Sequence, residues 1–109
     1  MNQFDRLRDA NVVRQWEWPG SELITPAFRG NELAGEVGEA CNIIKKLERE
    51  RLGINGSRAS IEELAAELAD VIICTDLIAM SYNIDLWSAV VDKFNASSMK
   101  LELKTRLSK

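Results

Sequence analysis

Glu36 and Glu39, and again Glu67 and Asp70, stand three positions apart in this chain of 109 residues. Residues three apart on a helix are neighbours, so each stretch, if helical, presents a pair of carboxylates. Glu32 and Glu63 extend the two rows by one turn. Two such pairs facing each other concentrate four negative charges, an arrangement sustained only by bound cations or by raised pKa values. Magnesium is the matching cation: it takes hard oxygen ligands, keeps several waters and bridges protein carboxylates to substrate phosphates. Glu-x-x-Glu is also common on solvated helix faces. Three features favour the metal: the duplication, the placement of the acids beside the apolar stripe, and the small residues Ala34, Gly35 and Gly38 around Glu36. An interior helical glycine costs about 1 kcal/mol relative to alanine, so two of them here point to a close approach of backbone or ligand.

The rest of the composition narrows the chemistry. The chain contains no histidine, which removes Ser-His-Asp hydrolysis, His-ligated zinc and the Glu-x-x-His di-iron pattern. Acid–base and metal chemistry must therefore come mainly from carboxylates. A formal net charge of −3 argues against a general nucleic-acid binder, which needs a basic face. Cys41 and Cys74 have no paired spacing, and the default expectation is a reduced, cytoplasmic protein. No segment has the order of a signal peptide, and Asp76 interrupts the longest apolar run, so no membrane span is expected.

The elements that must position these acids read as an all-α single domain over residues 1–109. Residues 1–24 hold an N-terminal helix, from about Gln3 to Gln15, and a tryptophan-containing break, Trp16-Glu17-Trp18-Pro19-Gly20-Ser21. Residues 25–103 carry the acidic motifs on three further helices, and residues 104–109 form a polar tail expected to be loose. Thr25-Pro26 opens the second helix, since threonine caps and proline suits the first helical position; Gly53 closes it. Its expected core stripe is Leu33, Val37, Ala40, Ile44 and Leu47. Ser60 and Glu63 have capping-box spacing at the start of the third helix, whose expected stripe is Leu64, Leu68, Val71, Thr75 and Ile78. Asp85 caps the fourth, which carries Trp87, Val90, Val91, Phe94 and Leu101. In both motif-bearing helices the acidic row lies one residue, about 100°, before the apolar row. The acids should therefore border the buried seam. From Val71 to Met80 the third helix is apolar on nearly every face, which calls for neighbours on several sides.

The stretch Asn31-Glu32-Leu33-Ala34-Gly35-Glu36-Val37-Gly38-Glu39-Ala40 resembles the first motif of the MazG-like all-α nucleoside triphosphate pyrophosphohydrolases, and Glu63-Leu64-Ala65-Ala66-Glu67-Leu68-Ala69-Asp70-Val71 resembles the second. The family pattern is Glu-Glu-x-x-Glu, a variable gap, then Glu-x-x-Asp; Gly35 replaces its first glutamate, and Glu32 stands one turn earlier. Lys93-Phe94-Asn95 with Ser97-Ser98 is similar to the family's nucleotide-contacting segment. The resemblance implies that Glu36, Glu39, Glu67 and Asp70 hold Mg²⁺, with Mn²⁺ as a substitute, against a nucleoside triphosphate. It implies hydrolysis to monophosphate and pyrophosphate, with Glu39 as general base and Glu36 beside it. It also implies a homodimer or a dimer of dimers.

Other residues carry two readings each. Lys46, two turns beyond Glu39, contacts phosphate or pairs with Glu48 or Glu50. Lys93 and Asn95 contact the nucleotide, or are ordinary polar helix positions. Trp16 and Trp18 stack on a base or lid the core, one of them being expected in the core. Asp76 lies opposite Glu67 and, if buried, needs a partner, in the chain or across a subunit interface. Cys41 and Cys74 are expected as small core residues. The alternatives to the pyrophosphohydrolase are a non-catalytic helical assembly module and an enzyme like the phosphoribosyl-ATP pyrophosphohydrolases.

Overall fold

A computed structural model describes residues 1–109 as four α-helices without a strand. They are α1 (Gln3–Glu17), α2 (Pro26–Leu52), α3 (Ile61–Ser81) and α4 (Leu86–Lys100), with a single 3₁₀ turn (Ser21–Leu23) between the first two. No helix is long and apolar enough to cross a membrane.

Local chemistry sets the helix ends. Asn2 and Asp5 form a reciprocal capping box on α1. The Thr25 hydroxyl accepts from the Phe28 amide at 3.1 Å, with Pro26 in the first turn of α2. Gly53 ends α2 in the left-handed region, at φ 69°, a conformation that costs glycine little. Ser60 and Glu63 make the capping box of α3, and the Asp85 carboxylate accepts from the Ser88 amide at 3.1 Å to start α4.

α2 and α3 run antiparallel and form the principal pair, α1 lies along α3, and α4 packs on α1. Phe4 of α1 stacks on Trp87 of α4 with ring centroids 5.4 Å apart. Asp76, fully buried on α3, joins α1: Arg8 Nε donates to its carboxylate at 3.1 and 3.2 Å, and Asn11 Nδ2 at 2.9 Å. Arg8 Nη2 also donates to the Ile84 carbonyl at 2.7 Å, tying in the α3–α4 turn. The partner expected for Asp76 is thus within the same chain.

Several expectations are corrected. The α2 stripe is rotated: Ala40 and Ile43 are the buried positions, whereas Val37 and Ile44 are 41% and 50% exposed. On α3, Leu68 and Ile72 are likewise exposed, and Asp76 and Ala79 are buried. The Glu36 row of α2 therefore faces α3 more directly than the stripe implied, and the Val37–Ile44 row is left open. Cys41 is exposed rather than a core residue, and Cys74 is only half-buried. Tail residues 104–109 are not loose. They return along α4, where Asn95 brackets Leu107 by accepting from its amide at 2.8 Å and donating to its carbonyl at 2.9 Å. Trp87 Nε1 donates to the Lys109 carbonyl, and Lys109 Nζ lies 3.2 Å from Asp92.

Candidate metal centre and cleft

Glu36 of α2 and Glu67 and Asp70 of α3 each place a carboxylate oxygen within 4.8 Å of the other two. The antiparallel hairpin produces this meeting: it sets the middle of α2 against the first half of α3, and three-residue spacing keeps Glu67 and Asp70 on one side. Oε2 of Glu36 and Oε2 of Glu67 are buried and have no hydrogen-bond partner. A buried anionic oxygen without a donor is costly. Loss of hydration raises the Glu36 carboxyl above its ordinary value, and the charges of Glu39 and Asp70 raise it further. Glu67 is raised first by loss of hydration, then by a carboxyl–carboxyl contact with Glu39 and by its charge. All four acids of the two motifs thus act on one another, with Glu39 on the exposed flank. The donor set is all oxygen, and two of its three residues carry an orphaned oxygen. A divalent hard cation fits both features.

Beside the cluster a cleft of about 380 Å³ opens between α1, the 3₁₀ turn and the α2–α3 pair. Glu36 and Asp70 form part of its wall. Trp18, Ile24, Phe28 and Leu77 supply flat and aliphatic surface, and Arg29 and Glu32 also line it, two turns and one turn before Glu36 on α2. Arg29 Nη1 donates to Glu32 Oε1 at 3.0 Å. The volume lies in the range of small-molecule sites, roughly 300–1,000 Å³.

The other proposed site residues fall unequally. Trp18 lines the cleft, but Trp16 does not, and both are largely exposed, at 64% and 76%; the expectation that one of them lids the core is corrected. The tryptophan that does pack is Trp87. Lys46 is half-buried and forms no ion pair; Glu48 pairs with Arg51 instead. Lys93 is exposed on α4 and unpaired, and the Asn95 amide is engaged by Leu107, so in this chain Asn95 holds the tail rather than facing the cleft. A Cβ built on Gly35 or Gly38 meets nothing within 4 Å. The close approach inferred from these glycines is therefore absent within one copy.

Phe28, Arg29 and Arg14 were missed as cleft residues. Arg29 had a legible signal, the i,i+3 pairing with Glu32 on the face that leads to Glu36. Phe28 and Arg14 had none, because their position depends on how the 18–25 segment turns the chain between α1, packed on α3, and α2. No family model, curated protein or solved structure matches this chain.

Proposed function

We propose that this protein is a magnesium-dependent hydrolase that cleaves nucleoside triphosphates to monophosphate and pyrophosphate, working in the cytoplasm as a homo-oligomer of the MazG-like all-α type. The observation that carries the reading is the convergence of Glu36, Glu67 and Asp70 within 4.8 Å, with two buried carboxylate oxygens unpartnered. Its position on the wall of a cleft of small-molecule size supports the substrate side of the reading.

Glu36, Glu67 and Asp70 would hold the cation, flanked by Glu39. When bound, magnesium supplies charge neutralisation to the triphosphate and lowers the pKa of water. Glu39, exposed and in contact with the cluster, accepts the proton of the attacking water. The water oxygen bonds to the α-phosphorus as the bond from that phosphorus to the bridging oxygen breaks, and pyrophosphate carries that oxygen away. Trp18 offers an indole face to the base. Lys46 and Lys93, free of ion pairs, are the cations available to phosphate; Asn95 is withdrawn from this role because Leu107 occupies its amide.

The exposed rows Val37–Ile44 and Leu68–Ile72 support assembly with a second copy, and the open flank at Gly35 and Gly38 lets another helix approach closely. The same apolar rows favour a second reading, a helical assembly module without turnover. Incubation of purified protein with a panel of ribo- and deoxynucleoside triphosphates and phosphoribosyl-ATP, with and without magnesium, separates the possibilities. Monophosphate plus pyrophosphate, formed only with Mg²⁺ or Mn²⁺, is the expected result. Release of orthophosphate and diphosphate contradicts the proposed cleavage, and turnover of phosphoribosyl-ATP alone moves the substrate class.

A further inference from the structure

The cleft beside the acids has two chemically different ends. Glu36 and Asp70 mark one. Two turns away along α2 and α3, Phe28 and Leu77 join Trp18 in supplying flat and aliphatic surface, with Arg14 and Gln15 of α1 also in the lining. At that end, beside Phe28 and two turns before Glu36 on α2, stands Arg29, whose side chain is only 14% exposed. It makes one side-chain hydrogen bond, from Nη1 to Glu32 Oε1 at 3.0 Å. A guanidinium has five N–H donors and no acceptor. Arg29 therefore brings several donors without a protein partner to the edge of the cleft.

Given the proposed function, on which this step rests, the phosphates occupy the acidic end through the cation. The nucleoside must then enter the aromatic end. We propose that this end is the nucleobase subsite and that Arg29, with Glu32, selects bases with a keto oxygen beside a ring N–H (guanine, uracil, thymine) over their amino counterparts (adenine, cytosine). The guanidinium donates to the keto oxygen, an acceptor that arginine also uses when it reads guanine. The Glu32 carboxylate accepts from the neighbouring ring N–H. In the same pose adenine turns an amino donor towards the guanidinium and a bare ring nitrogen towards the carboxylate, so both bonds are lost and both contacts repel. Trp18 and Phe28 contribute stacking that tolerates every base, leaving discrimination to the charged pair.

The test is calorimetric titration of the full chain, with magnesium, using α,β-methylene analogues of dGTP, dATP, dUTP and dCTP and using inorganic tripolyphosphate. Wild type is expected to favour the keto member of each pair by about tenfold, the effect of one or two charge-assisted bonds. Arg29→Ala is expected to erase that ratio while leaving tripolyphosphate affinity unchanged, and Arg29→Lys, which keeps a donor, to retain part of it. Far-UV circular dichroism checks folding, and Glu32→Gln, expected to reduce the ratio, serves if the alanine variant does not fold. Equal affinities in wild type, or a ratio unchanged in Arg29→Ala, overturn the proposal. So does a uniform loss that includes tripolyphosphate, which makes Arg29 a phosphate contact. Wild type that binds no analogue sinks the pyrophosphohydrolase reading as well. Keto preference without hydrolysis of the parent nucleotides sinks the reaction alone and keeps the subsite.

Discussion

Two kinds of buried carboxylate stand in contrast at the residue scale. Asp76 is fully buried yet satisfied, with Arg8 and Asn11 on its oxygens. Glu36 and Glu67 each hide an oxygen with no donor, among like charges. Removing a partner from the first is therefore destabilising: Arg8→Met should cost about 3 kcal/mol, towards the lower end for a broken buried pair because Arg8 is partly exposed. Urea denaturation measures it. The second group behaves oppositely. The folded pKa of Glu36 and of Glu67 is raised above the ordinary 4.5. Between that value and the raised one the folded state binds more protons than the unfolded, so stability falls as pH increases through this window. Metal-free protein in chelator should melt at a higher temperature on the acid side of the window than above it. Magnesium should raise the melting temperature above the window and have little effect below it, since protonated carboxyls do not ligate. Glu67→Gln should stabilise the metal-free protein at neutral pH, abolish the magnesium shift and lower turnover at least about a hundredfold, since the supports of metal ligands alone are worth 10–100-fold. A Glu67→Gln protein with the wild-type magnesium shift would falsify the assignment of this ligand.

Helix boundaries are local chemistry, and at the scale of elements that made them legible in the sequence. Thr25-Pro26, Gly53, Ser60 with Glu63, and Asp85 each act within one turn, and each does so where expected. The meeting of Glu36 with Glu67 and Asp70 was legible too, because three-residue spacing and an antiparallel hairpin leave few other arrangements. The face that each helix buries was less so. Val37, Ile44 and Leu68 score as core by periodicity, but burial depends on what lies opposite, and one copy has too few helices to cover them. The tail was misread for a related reason. Its sequence is polar, and what orders it is Asn95, twelve residues from the Leu107 backbone it brackets. Asn95→Ala should therefore release residues 104–109, raising amide exchange at Leu107 and lowering stability by about 2 kcal/mol, about 1 kcal/mol for each of the two hydrogen bonds lost. An unchanged exchange rate there would return Asn95 to the pool of nucleotide-contact candidates.

Shape and surface carry the argument at the scale of the whole molecule. The radius of gyration is 17.2 Å, against about 13 Å for a compact 109-residue domain. The accessible surface is 7932 Å², against roughly 6,100 Å² for a compact monomer of this mass. Only seven residues are buried, and three of them are polar or charged. The excess, roughly 1,800 Å² per chain, matches the area an obligate interface hides when two copies meet, since such interfaces bury about 2,000–5,000 Å² in total. The exposed apolar row on the α2–α3 pair is where that area is available. Light scattering should accordingly give a multiple of 12.3 kDa, and the melting temperature should rise with protein concentration, because folding is then coupled to association. Leu68→Glu and Ile72→Glu place a charge on the open face without touching Glu36, Glu67 or Asp70. Both should shift the mass towards one chain and remove the concentration dependence, at a loss of several degrees in melting temperature. A monodisperse single chain at micromolar concentration, equally stable with and without these charges, would mean that the apolar rows face water by design. The cleft would then have to work with the walls that one copy supplies.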